Sequence, residues 1–109
     1  MVSLDQARRL ALALPDATEQ DHHGRPSFRT AGRIFATLWD EHHMNVMVDQ
    51  AGILTALQAA PQICTEVRWG ARLAAVRIDL RRADEPLVAE LLEDAWERKH
   101  AVRGRASSA

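Results

Sequence analysis

The sequence predicts an α+β domain, an antiparallel meander sheet packed against helices on one face as a two-layer sandwich. Three observations predict it. Segments with 3.6-residue apolar periodicity stand at both ends of the chain and once inside it. Short segments with two-residue alternation lie between them. The turns joining those segments are too short for the crossover that a parallel pair needs. Size agrees: the chain has 109 residues, 47% of them hydrophobic. Nineteen are Ala, so the larger apolar side chains suffice for one two-layer core and not for two. The domain is expected over residues 1–101, with a basic, disordered tail over 102–109.

The elements follow in order. Residues 3–14 predict the first helix, because Ser3 and Gln6 fit a capping box and Leu4, Ala7, Ala11 and Leu14 share a face. Pro15-Asp16 stops it. Thr18–His22 is a weak strand, and 23–26 is turn-like. Ser27–Thr30 pairs across Ala31-Gly32 with Arg33–Trp39 as a tight hairpin. Met44–Val48 alternates, with Met44, Val46 and Val48 inward. Asp49 caps a helix over 50–60, its apolar face built by Ile53, Leu54 and Leu57. Residues 62–72 are irregular, or hold one more short strand near 65–69. Ala74–Leu80 is the clearest strand, with Ala74, Val76, Ile78 and Leu80 on one face. Asp84-Glu85-Pro86 starts a last helix over 84–101, whose buried stripe is Leu87, Val88, Leu91, Leu92, Ala95 and Trp96.

Charge and cysteine content bound the function. Fourteen basic residues face fifteen acidic ones, for a net charge of −1. Arg98, Lys99, Arg103 and Arg105 crowd the last twelve residues, so the domain proper is acidic. An acidic domain argues against strong non-specific DNA binding, and the basic end suits a solvated helix C-terminus. The single cysteine, Cys64, excludes an internal disulfide and a Cys-based zinc cluster. No apolar run approaches the ~18 residues of a membrane span. Met1–Asp5 lacks the pattern of a secretory signal, so a cytoplasmic location is expected.

The stretch Gly24-Arg25-Pro26-Ser27-Phe28-Arg29-Thr30-Ala31-Gly32-Arg33-Ile34-Phe35-Ala36 resembles the MmcQ/YjbR family of small bacterial proteins. The hallmark of that family is a Gly-x-Pro-x-Phe-Arg-x-x-x-Lys/Arg-Ile-Phe-Ala hairpin. Leu14-Pro15-Asp16, Arg68-Trp69-Gly70 and Val76-Arg77-Ile78-Asp79-Leu80 agree with it, and the resemblance covers roughly residues 4–100. One departure is Ala75, where family members often carry Trp. The resemblance implies a fold like that of secretion chaperones, which bind peptides, and a DNA-binding role attributed to a double-wing arrangement. It implies no general enzymatic activity.

Candidate sites are few. Arg25, Arg29 and Arg33 sit on or beside the Gly32 hairpin, and a ribbon of paired Arg can contact phosphates or guanine in a groove. Arg72 and Arg77 support this surface from the last strand, and Arg68, Arg81 and Arg82 could extend it. The alternative for Arg29 is a nearby acid, and for Arg33 a solvated strand end. His22-His23 and His42-His43 flank turns at one end of the sheet, beside Asp21, Asp40 and Glu41. Adjacent strand residues point to opposite faces and the turns stand ~10 Å apart, so no shared metal ion is expected. Cys64 reads as a buried small hydrophobe. Trp39 and Trp69 are expected on the outer sheet face, covered by the 62–72 segment. No Gly-rich phosphate loop occurs. The expectation is therefore a monomeric, non-enzymatic binding module without cofactor or metal. DNA is the expected partner, contacted by Arg25, Arg29, Arg33, Arg72 and Arg77. The alternative partner is a protein or peptide held on the open sheet face.

Overall fold

The computed structural model describes the backbone of residues 1–108 and the side chains of residues 1–100. Helix α1 spans Leu4–Leu12, and the expected capping box is formed: Gln6 N donates to Ser3 Oγ at 3.1 Å, and Ser3 N to Gln6 Oε1 at 2.8 Å. Strands β1 (Thr18–His22), β2 (Arg25–Thr30), β3 (Arg33–Leu38) and β4 (His43–Val46) form the meander. Helix α2 (Gln50–Ala59) follows, capped by Asp49, whose carboxylate accepts from Gly52 N at 2.7 Å. Strands β5 (Cys64–Trp69) and β6 (Arg72–Asp79) make a second hairpin, and α3 spans Glu85–Ser108.

Six strands form one antiparallel sheet in the order β1-β2-β3-β4-β6-β5. The turns explain the meander. Both central residues of the β1–β2 turn, His23 and Gly24, have positive φ, as do Ala31 and Gly32 between β2 and β3. That backbone matches the right-handed twist of a two-residue hairpin. The residues 62–72 that the sequence left undecided are the edge strand β5 and its turn. Its pattern is weak because Thr65, Glu66, Arg68 and Trp69 are all exposed.

Alternation along the strands separates two faces. One carries Phe28, Ala36, Val46, Val76 and Ile78, all fully buried in a single core with Ala7 and Ala11 of α1, Ile53 and Ala56 of α2, and Val88, Leu91, Leu92 and Ala95 of α3. The other carries the polar row Ser27, Thr37, Asn45 and Arg77, aligned by register across β2, β3, β4 and β6. All three helices thus draw on one face of the sheet, as expected, and leave the other without a helix.

Helix α3 continues past residue 101, the end expected from the sequence. Near the end of β4 it is fastened to the sheet: Arg98 Nη1 donates to the carbonyls of Met47 at 3.1 Å and Val48 at 3.0 Å. Thr30 Oγ1 and His100 Nδ1 are hydrogen-bonded at 3.1 Å, and Trp96 Nε1 donates to Pro15 O at 2.9 Å.

Candidate functional site: a cationic groove with two tryptophans

Three members of the polar row, Thr37, Asn45 and Arg77, floor a groove of about 880 Å³. Thr37, Asn45 and Arg77 come from the sheet centre, and His22, His23 and Arg25 from the β1–β2 hairpin at one end. Trp69 and Arg72 come from the β5–β6 hairpin at the other end, and Arg98 and Lys99 from α3. Seven cations line it (Arg25, Arg33, Arg68, Arg72, Arg77, Arg98 and Lys99), and among the described residues no carboxylate does. For a chain of net charge −1, that is a strong segregation of sign.

Two sub-clusters differ in how their cations are held. Around Trp39, the guanidinium carbons of Arg25 and Arg77 lie 4.0 and 4.5 Å from the ring centroid. Arg25 Nε also donates to Trp39 O at 2.9 Å, and Arg77 Nε to Asn45 Oδ1 at 2.9 Å. Cation–π contact and hydrogen bonds hold both guanidiniums without neutralising them. At the other end stand Arg33, Arg72, Arg98 and Lys99. Among the described residues none of the four has a carboxylate within 4 Å. Burial, and the positive charges of Arg98, Arg33 and Arg72, push the Lys99 ammonium below its ordinary value. The same cluster carries Trp69, 58% exposed, with the Arg72 guanidinium carbon 5.7 Å from its ring. Arg68 is less free, being ion-paired with Glu66 and donating to Ala71 O at 2.7 Å.

Of the five arginines singled out in the sequence, Arg25, Arg33, Arg72 and Arg77 line this groove and Arg29 does not. Arg33 pairs with Thr30 and Arg29 with Ile34, so the two are not a cross-strand pair. A bulge at Phe28/Arg29 shifts the β2–β3 register just beyond them. Among the described residues Arg29 finds no acid; its Nε donates to Ser27 Oγ at 3.3 Å. Arg81 and Arg82, expected to extend the surface, instead bind Asp79 at 3.1 and 3.8 Å. The tryptophans correct a further expectation. Trp39 is 37% and Trp69 58% exposed, because the 62–72 segment joins the sheet edge instead of folding over its face. Ala75, in the place of a frequent family Trp, is buried on β6 and does not line the groove.

Arg98 and Lys99, read from the sequence as part of a solvated basic helix end, line the groove instead, and a signal for this was present. They follow the stripe Leu91, Leu92, Ala95 and Trp96 at helical spacing, which brings them to the end of β4, where Arg98 reaches the Met47 and Val48 carbonyls.

The other candidates lie elsewhere or carry no site. Cys64 is buried at the start of β5, and burial pushes its thiol up, away from the reactive thiolate. His43 Nδ1 contacts Asp40 Oδ1 at 2.9 Å and His42 lies 3.8 Å from Glu41. Among the described residues no three His, Cys, Asp or Glu side chains are grouped to hold a metal. No helix there is long and apolar enough to cross a membrane.

Comparison with known proteins agrees with the architecture. The family model described as YjbR matches residues 12–98. The crystal structure of Deinococcus radiodurans protein DR2400, with family-model domain DUF419, superposes with a TM-score of 0.74 at 21% identity, covering 88% of this chain and 77% of that one. At that identity the likeness concerns the fold. No curated protein matches the chain.

Proposed function

The chain belongs to the YjbR family, and from that premise we infer that it is a nucleic-acid-binding module whose contact surface is the helix-free face of the sheet. The observation that carries this reading is the groove lined, among the described residues, by seven cations and no carboxylate, with exposed Trp at both of its ends. Arginine recognises phosphate through a fixed fork of donors and keeps its charge at any physiological pH. Aromatic rings beside such cations offer bases a stacking surface. These are groups that hold a polyanion. The reading is binding without a catalytic step, in a monomer with access to cytoplasmic DNA or RNA. The low net charge of the whole chain is no obstacle, because steering depends on the local potential of a cleft.

The test is fluorescence anisotropy on labelled DNA, presented as single strand and as duplex, from about 50 to 200 mM salt. Affinity is expected to fall steeply with salt, and Arg25→Ala/Arg77→Ala to weaken binding and flatten the log–log slope by roughly one to two. Absence of binding to either form at the lowest salt overturns the reading. A peptide partner is the second reading, supported by β1, an edge strand whose five residues are all exposed and which pairs only with β2. Strand addition there gives binding with little salt dependence.

A further inference from the structure

We propose that the groove takes single-stranded nucleic acid in preference to duplex, with a phosphate seated among Arg33, Arg72, Arg98 and Lys99 and the adjoining base stacked on Trp69. The proposal deepens the nucleic-acid reading and rests on it.

The two tryptophans are not equivalent. Trp39 already carries two guanidinium groups at 4.0 and 4.5 Å, so its ring is engaged in positioning Arg25 and Arg77. Trp69 stands on an edge hairpin, 58% exposed, with one guanidinium at 5.7 Å. It is the ring with a face to give to a ligand. The cations beside it are likewise the ones lacking acidic partners among the described residues. Arg98 is pinned on the Met47 and Val48 carbonyls, which fixes one guanidinium of the cluster before any ligand arrives. A tetrad of like charges held at the end of β4 is unfavourable until an anion enters, so an anion gains from relieving that repulsion.

Shape then selects the form of nucleic acid. About 880 Å³ is the scale of a small-ligand site, large enough for a nucleotide and far too small for a duplex. In a duplex the bases are stacked on one another and offer no face to a side chain, whereas a single strand can splay one out.

The experiment measures binding of the full chain to a labelled single-stranded oligonucleotide, to the duplex of the same sequence, and to inorganic phosphate and a free mononucleotide as competitors. Variants are Trp69→Ala and Lys99→Gln, the second keeping the aliphatic stem; circular dichroism checks the fold of each. The single strand is expected to bind at least tenfold more tightly than the duplex. Trp69→Ala should weaken it about five- to a hundredfold with the salt slope unchanged. Lys99→Gln should lower the log–log salt slope by about 0.7. Competition by the mononucleotide but not by phosphate at equal concentration supports the paired phosphate-and-base site. Duplex binding as tight as single-strand binding, with Trp69→Ala silent, overturns this proposal and leaves the nucleic-acid reading standing. Binding to neither form overturns both.

Discussion

Lys99 and Asp79 show how the same physics gives opposite outcomes at two ends of the sheet. Asp79 ends β6 and gathers donors: Arg81 N at 3.0 Å, Arg81 Nε at 3.1 Å and Arg81 Nη2 at 3.3 Å. The Arg81 hydrogen bond holds its carboxyl below the ordinary 3.8. A carboxyl depressed on folding contributes stability that is complete above its unfolded value and is lost as pH falls through the folded one. Asp79→Asn is therefore expected to lower the urea midpoint at pH 7 and to converge on the wild type only as the pH falls through the depressed folded value. A gap that keeps its size as the pH falls contradicts this account of Asp79. Lys99 has no such partner among the described residues, and its charged neighbours there are the cations Arg98, Arg33 and Arg72. The contrast separates arginines engaged in the fold, Arg81 and Arg82, from those left for a ligand. The sequence could not make that separation, because both kinds stand in similar Arg-rich surroundings.

The hairpins are where local sequence is most and least informative. Glycine at the second turn position was readable from Gly24 and Gly32, and both turns have the positive φ it favours. The first position is held by His23 and Ala31, at φ 55 and 53, a region that costs an ordinary L-residue roughly 1–2 kcal/mol and that Asn visits readily. Ala31→Asn is expected to raise stability by about 0.5–1 kcal/mol in denaturant melts. A lowered midpoint contradicts the strained-turn account. The central strands announced themselves through burial, as in the run from Ala74 to Leu80 against Arg77 and Asp79. Edge strand β5 did not, because few of its side chains are buried and alternation is a record of burial. The same edge position accounts for Trp69: a strand beside the sheet leaves its ring exposed, whereas a loop across the face would have covered it.

Across the whole molecule, the net charge of −1 conceals a segregated surface. Glu85, Glu90, Glu93, Asp94 and Glu97 occupy the exposed side of α3, while the opposite side of the molecule collects cations from β2, β3, β5, β6 and the end of α3. The fold class and helix-bearing face were legible because apolar periodicity directly encodes which side is buried. Five of the groove's arginines, Arg25, Arg33, Arg68, Arg72 and Arg77, were legible as candidates, but the groove was not. Its assembly needs strands that are distant in sequence and a helix that brings Arg98 and Lys99 to the end of β4.

The most direct test of the central claim, that nucleic acid is held on the helix-free face, is an NMR titration of the labelled chain with a short single-stranded oligonucleotide, following the three tryptophan indole signals. Trp39 and Trp69 lie in the groove, while Trp96 is bonded to Pro15 on the helix side and serves as an internal control. The account predicts shifts in Trp69 and Trp39, the larger in Trp69, with Trp96 unmoved. Shifts confined to Trp96, or binding that leaves Trp39 and Trp69 unchanged, would contradict it.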